Sequence, residues 1–391
     1  MIQKKKVLVT IPRIPYPINS GGRYATYETL KILDKYFDVY LIIINDEIKV
    51  MEYENEIKKY TVEYFSFSYP KYKFYLNALK SFFNGKPLQV NYFYFKDVQL
   101  KIDEILHKVD FCYLFMNRTG DYFFKTDKPV IFNAIDSMYL NYTKSIEKSK
   151  SIFWKIIYRF EVKKLFLFEK KCVERFKLSL FVNNEEANFW KCYGNVLGLP
   201  FGIEEKLLEY SEESEDYQNN IAFLGRMDYP PNIDAVEWFC KNCLNKLDEG
   251  IQLSVIGGFP TANIKKLEIL HSNVKILGFV DDPFIILKSS LCVIAPMQTG
   301  GGLQTKILMA MAVGGIVIVS PLCMSAIFGA ENNVHLIVED NPSKIIEIIN
   351  DIRVNNYKYI HIKKNAQKFI LENFSWSIIE KMMIENIDLY L

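Results

Sequence analysis

Gly300, Gly301 and Gly302 stand directly ahead of Leu303-Gln304-Thr305-Lys306 and of an apolar helical run, Ile307 to Val313. Glycines leave backbone amides bare, and the start of a helix adds the positive end of its dipole, so this segment is suited to an anion. Lys306 falls in the first turn of that helix, where a cation is unfavourable unless an anionic ligand offsets it. Gly225-Arg226 closes a strand-like run, Ile221 to Leu224, and an arginine there offers a planar fork that matches a diphosphate. A third glycine turn, Asn19-Ser20-Gly21-Gly22-Arg23, joins the first strand to the first helix. Each has a plainer reading: a solvated lysine beside a loop, a solvated arginine, and a Gly-Gly pair that is only a turn.

Two other groupings invite chemistry and read better as structure. Asp281 and Asp282 form an acidic pair of the kind that holds manganese, but they precede Pro283 and a helical run, which is the pattern of an N-cap. No other carboxylate or His cluster has ligand spacing, so the expected chemistry uses no metal. Cys240 and Cys243 make a C-x-x-C, yet Val236 to Leu247 reads as an amphipathic helix on which positions three apart share a face. Seven cysteines, an odd number without a staple pattern, point to a reduced, cytoplasmic compartment.

The elements that must position these residues alternate in type. Val7 to Ile11, Tyr24 to Tyr36 and Val39 to Ile44 read as strand, helix and strand, and apolar runs at Phe111 to Phe115, Val130 to Asn133 and Leu178 to Val182 continue a buried parallel sheet. After GLPFGIE and the acidic linker-like stretch Tyr210 to Asn220 a second series begins: Ile221 to Leu224, Leu253 to Ile256, Val274 to Leu277, Cys292 to Ala295 and Val317 to Val319. The predicted class is therefore α/β, with two doubly wound Rossmann-like domains. Residues 1–200, with 375–391 packing back, form the first, and residues 201–374 the second. Such sheets bind ligands beyond the carboxyl ends of their strands, where all three glycine turns fall.

The runs GRMDYPPNIDAVEWF, VKILGFVDDP and APMQTGGGLQTKILMAMAVGGIVIVS, in this order, resemble the carboxyl lobe of the retaining glycosyltransferases of family four, which have the GT-B fold with a cleft between two lobes. PRIPYPINSGGRYATYETLKIL is similar to the same family's amino-terminal loop, and GLPFGIE to its hinge. The resemblance implies a nucleotide diphosphate sugar of UDP or GDP type as donor, a glycan or lipid-linked sugar as acceptor, and no cofactor. It places Arg226, Lys306 and the amides of Gly301, Gly302 and Leu303 on the diphosphate, with Gly21 and Gly22 closing from the first lobe. Asp136, at the strand end FNAIDSMY, takes the position of an acceptor-facing acid, although an Asp capping the helix that follows is an equal reading. Arg118, in MNRTG, is a weaker acceptor candidate.

The chain departs from the family at three places. Asn232 stands where many relatives have a lysine, and Gly301 and Met309 stand where two glutamates are usual; in the triglycine subgroup Lys306 is expected to supply the missing charge. The lost ribose-binding carboxylate at Met309 keeps a second reading open, a non-catalytic GT-B partner of an active transferase.

A formal charge of +2 gives no global field for nucleic acid. Residues 144–177 hold eleven Lys and Arg against four Glu, interleaved with Phe153, Trp154, Tyr158, Phe160, Phe166 and Phe168. A basic aromatic helix of that kind suits either an anionic membrane surface or packing on the first sheet. The amino-terminal apolar run is too short for a signal segment, and no run approaches the roughly 18 apolar residues of a membrane span. The expectation is a cytoplasmic transferase of bacterial surface polysaccharide or capsule synthesis, at most peripheral at the inner face of the membrane.

Overall fold

The computed structural model describes residues 4–18, 21–47, 50–148, 151–300 and 302–391. The chain divides into two compact units, Met1–Pro200 with Glu380–Leu391, and Phe201–Ile379.

In the first unit, β-branched and aromatic runs form seven strands: β1 Lys6–Ile11, β2 Asp38–Asn45, β3 Glu63–Ser68, β4 Phe111–Phe115, β5 Val130–Ile135, β6 Leu178–Phe181 and β7 Val196–Gly198. They pair in the order β3-β2-β1-β4-β5-β6-β7, all parallel. Strands β1, β2 and β4 are buried along nearly their whole length, as a parallel sheet covered on both faces requires. Helices Lys96–Leu106 and Ile152–Arg175 supply Val98, Ile102, Leu165 and Phe168 to its core. The chain runs outward from β1 to β3 and then returns to β4 on the other side of β1, so the strand order reverses between β1 and β4.

The second unit repeats the plan with β8 Asn220–Leu224, β9 Gln252–Ile256, β10 Val274–Gly278, β11 Cys292–Ala295, β12 Val317–Val319 and β13 Ile337–Val338. The order is β10-β9-β8-β11-β12-β13, again parallel, and the reversal lies between β8 and β11. At such a reversal neighbouring loops diverge to opposite faces and leave a crevice for a ligand.

Some local expectations shift. The helix expected over Val236 to Leu247 runs instead over Pro230–Asn242, because Pro230 and Pro231 supply the fixed φ that opens a helix; Leu244–Lys246 is a separate 3-10 turn. The stretch 144–177 is two helices, Met138–Lys148 and Ile152–Arg175. Tyr210 to Asn220 lies wholly within the second unit, where the Ser214 amide donates to Ser289 Oγ at 2.8 Å and Tyr210 Oη donates to Asp282 at 2.6 Å. Return to the first unit begins at Glu380 rather than at residue 375.

Candidate functional site

Lys306 is the second residue of the helix Thr305–Ala312, whose amino end has no side-chain cap. Its Nζ donates to Asn232 Oδ1 at 2.7 Å, lies 3.6 Å from Met297 Sδ, and sits 4.3 Å from the centroid of the Phe223 ring. None of these neighbours is a carboxylate, and burial pulls the ammonium down to about 8. A desolvated cation without a counter-ion favours any anion that reaches it.

Asn232 ties Lys306 to the second element of the site. While its Oδ1 receives the ammonium, its Nδ2 donates to the Arg226 carbonyl at 2.9 Å, fixing the loop that follows β8. That loop is tight: the Gly225 amide donates to the Ile256 carbonyl at 2.9 Å and the Met227 amide to the Gly258 carbonyl at 3.0 Å. Gly257 has φ +146°, and a Cβ there would collide with the Gly225 carbonyl oxygen, so the loops after β8 and β9 require a glycine at this position.

The Arg226 guanidinium is forked on Asp228, Nε to Oδ1 at 3.0 Å and Nη2 to Oδ2 at 2.6 Å, and lies 4.8 Å from the centroid of the Phe259 ring. Both partners of the fork are close to half exposed. Exposed pairs of this kind contribute about 0 to 1 kcal/mol, so the fork exchanges readily for a stronger anion. Gly300, with φ +86°, packs so closely on Pro231 that a Cβ would stand 3.0 Å from its Cβ, which joins the glycine-rich loop after β11 to the start of the helix Pro230–Asn242 that follows β8. Arg226, Lys306, Gly302 and Leu303 thus follow the carboxyl ends of β8 and β11, the two strands that flank the reversal of the second sheet. Gly301 lies outside the described residues.

In the first unit Gly21 and Gly22 open the helix Gly21–Tyr36, and a Cβ on Gly22 would meet nothing within 4 Å. Asp136 directly follows β5, after Ile135 in a left-handed conformation at φ +66°. Its carboxylate makes no side-chain hydrogen bond among the described residues, and burial raises its pKa. The capping reading of Asp136 is overturned. The amide of Met138 donates to Glu169 at 2.9 Å, that of Ser137 to Glu186 at 2.6 Å and that of Leu140 to Ser137 Oγ at 3.3 Å, so the helix Met138–Lys148 already has its caps.

Those two glutamates escape a reading of the sequence. Glu169 also accepts from Ser137 Oγ at 2.7 Å and Asn117 Nδ2 at 3.2 Å, yet burial pushes it to about 7, and burial beside Asp136 pushes Glu186 to about 8. The local signal is an acid on the buried face of a helix, between Leu165, Phe168 and Cys172. Gly257-Gly258-Phe259, directly after the run Leu253 to Ile256, carries the same signal as Gly225, a glycine at the end of a strand-like run.

The acidic pair Asp281-Asp282 serves a helix start, as its place before Pro283 suggests: Asp282 Oδ1 accepts from the amide of Phe284, the first residue of the helix Phe284–Ser289, at 3.0 Å. Among the described residues no three His, Cys, Asp or Glu side chains are grouped to hold a metal. Much of the basic stretch is engaged in packing: Lys164 donates to the Ser81 carbonyl at 2.8 Å and lies 3.6 Å from the Phe160 ring centroid, Lys171 lies 4.1 Å from that of Phe124, and Arg175 donates to the Thr126 carbonyl at 3.0 Å. Among the described residues no helix is long and apolar enough to cross a membrane.

Residues 218–353 match the family of glycosyl transferases group 1. The chain is 29% identical over 216 residues to "Uncharacterized glycosyltransferase MJ1069" of Methanocaldococcus jannaschii, an alignment that spans 53% of each chain. It is 25% identical over 403 residues to "Uncharacterized 44.6 kDa protein in cps region" of Klebsiella pneumoniae, covering 97% of this chain and all of the other. The solved structure of Anabaena HepE in complex with UDP and glucose superposes with a TM-score of 0.68 at 13% identity, over 98% of this chain and 99% of that one. The likeness establishes the fold, which is GT-B.

Proposed function

We propose that this protein is a glycosyltransferase that passes a sugar, with retention, from a nucleoside diphosphate of UDP or GDP type to a glycan or lipid-linked saccharide. The family match over 218–353 and the glycosyltransferase relative support the reaction class, and the relative from a cps region supports a role in surface polysaccharide or capsule synthesis. HepE, solved with UDP and glucose, supports a nucleotide sugar as donor. The observation that carries the reading is the uncompensated Lys306 ammonium, fixed through Asn232 to the Arg226 loop at the reversal of the second sheet.

Retaining transfer needs positive charge where the diphosphate departs, already in place before charge develops. Lys306 supplies a fixed cation, Arg226 a fork that leaves Asp228 for phosphate, and the amides of Gly301, Gly302 and Leu303 further donors. These groups neutralise the leaving diphosphate without a metal. Asp136, without a side-chain hydrogen bond among the described residues and with a pKa raised by burial, is assigned to the acceptor hydroxyl, which it orients or deprotonates. Exposed Ile152 and Ile156 support peripheral contact with the inner face of the membrane.

Titration calorimetry with UDP, GDP, CDP and ADP, without metal, tests the reading. Binding of one nucleotide at micromolar to submillimolar affinity, weakened in Lys306→Ala and Arg226→Ala, is the expected outcome. Binding by none of the four overturns it. Nucleotide binding without turnover on any acceptor favours the non-catalytic partner, the reading suggested by Met309 in the place of a ribose-binding carboxylate.

A further inference from the structure

The first unit contains a cavity of about 930 Å³, within the range of roughly 300 to 1,000 Å³ usual for small-molecule sites. Its walls are apolar: Tyr75, Leu76 and Leu79 from the helix Lys71–Leu79, and Phe153, Trp154 and Ile157 from the helix Ile152–Arg175. Most of these side chains are more than half exposed, with Tyr75 at 62%, Leu76 at 58% and Phe153 at 64%. The lining also includes Arg13 and Arg118 and contains no acidic residue.

Both arginines come from segments that leave the sheet. Arg13 lies two residues beyond β1 and Arg118 three beyond β4, so they flank the reversal of strand order in the first sheet. Between Phe115 and Arg118 the backbone passes through Met116 at φ +62°, a conformation a non-glycine residue seldom adopts and one that gathers at binding sites. The two guanidinium carbons lie 5.8 and 5.5 Å from the centroid of one ring, Phe93. Arg13 is neutralised: it is forked on Asp46 at 2.6 and 2.8 Å, and Tyr92 Oη donates to the same carboxylate at 3.0 Å.

Arg118 is not neutralised. Its one hydrogen bond among the described residues is a long one, Nε to Gln89 Oε1 at 3.4 Å, and its two terminal nitrogens donate to nothing. Gln89 Nε2, also at the cavity, is buried without an acceptor among the described residues. The polar end of an otherwise apolar cavity therefore presents donors that lack acceptors among the described residues and, with Asp46 forked on Arg13, one positive charge in excess; burial first and the neighbouring Arg13 second lower the Arg118 pKa to about 10, against a smaller opposing pull from Asp46. A fork of donors beside a hydrophobic wall matches an anion of phosphate type joined directly to a long apolar chain.

From this geometry we infer that the cavity binds a single lipid chain through its diphosphate, with Arg118 and Gln89 on the diphosphate and the Leu76 and Trp154 walls on the chain. This rests on the lipid-linked form of the acceptor proposed above and names its anchoring site. It commits to one lipid entering the cavity rather than to a bilayer lying against the helices.

Trp154 lines the cavity and reports occupancy by its fluorescence, which titrations with prenyl diphosphates of 5, 10 and 15 carbons would follow. Farnesol and inorganic diphosphate serve as the chain and the anion alone. Affinity should rise at least tenfold from the 5-carbon to the 15-carbon diphosphate. Arg118→Gln should weaken farnesyl diphosphate at least tenfold while leaving farnesol unchanged, Arg118→Lys should recover part of the loss, and Leu76→Asp should weaken both. Leu76 is exposed, so its variant folds; melting temperatures check all three. Unchanged farnesyl diphosphate binding in Arg118→Gln overturns the inference, as does inorganic diphosphate binding as tightly as the farnesyl compound. Capture by anionic phosphatidylglycerol vesicles, insensitive to Arg118→Gln and without binding of farnesyl diphosphate, overturns it in favour of a bilayer surface. Calorimetry with the four nucleoside diphosphates on the same variants separates the two readings. Lost nucleotide binding with intact lipid binding removes the donor site alone, and the reverse removes the lipid site alone.

Discussion

Asn232 Oδ1 receives the Lys306 ammonium at 2.7 Å, although the two residues are 74 apart in the chain. The amide stands where a second cation is common in the family this chain resembles, and its contact makes Lys306 the charge at that position. Hydrogen bonds to charged groups are worth about 1.5 to 3 kcal/mol. Lys306→Ala should therefore weaken nucleoside diphosphate binding by roughly ten- to a hundred-fold, and Asn232→Ala by less, because it loosens the cation without removing it. Calorimetry on the two variants checks the ranking, and equal binding by Lys306→Ala and wild type would remove Lys306 from the site.

Burial of the same ammonium sets a pH limit. Free Lys306 loses its proton near 8, and a bound diphosphate raises that value by favouring the charged form. The complex then holds a proton that the free protein has lost, so nucleotide affinity is level below about 8 and falls as pH rises through it. Titrations at pH 6.5, 7.5, 8.5 and 9.5 should show this break, and Lys306→Ala should abolish it.

Stability should respond to pH through Glu169 and Glu186. The fold holds their protons to about 7 and about 8, whereas an ordinary glutamate titrates near 4.5. Between those limits the folded state binds more protons than the unfolded chain, so stability is greatest below about 4.5 as far as these groups decide it, declines as pH rises, and levels off above about 8. Urea midpoints across that range measure the slope. Glu169→Gln, which keeps an acceptor for the Met138 amide, should make it shallower.

Two glycines should behave oppositely on substitution. Gly257→Ala drives a methyl into the Gly225 carbonyl at a φ that disfavours a side chain, and should lower the melting temperature by several degrees and disturb the Arg226 loop. Gly22→Ala meets open space inside a helix and should stabilise by about 0.4 to 1 kcal/mol. A loss of transfer in Gly22→Ala would then report close approach of a ligand rather than damage to the fold.

Met309 lies on the helix Thr305–Ala312, one turn beyond Lys306 and partly exposed. Met309→Glu restores a carboxylate where the resemblance expects one for the ribose hydroxyls, and should tighten nucleotide binding up to roughly tenfold. Unchanged affinity would mean that the ribose is held elsewhere.

By itself the sequence determined the repeated strand and helix order, the boundary near GLPFGIE and the glycine turns at strand ends. These depend on local runs such as Phe111 to Phe115 and Cys292 to Ala295, whose apolar pattern extends over consecutive residues and reports burial directly. Edge strands such as β7 and β13, three and two residues long, carry too little pattern to be read. Only the tertiary structure decided what each charged group faces. Asn232 meets Lys306, Glu169 caps a helix 31 residues upstream at Met138, and among the described residues Arg118 is left with a single long bond to Gln89, 29 residues away. No local pattern encodes such pairings, because the parallel crossovers bring together strand ends that are far apart in the chain, and at those ends the balance of charge, burial and partners is settled.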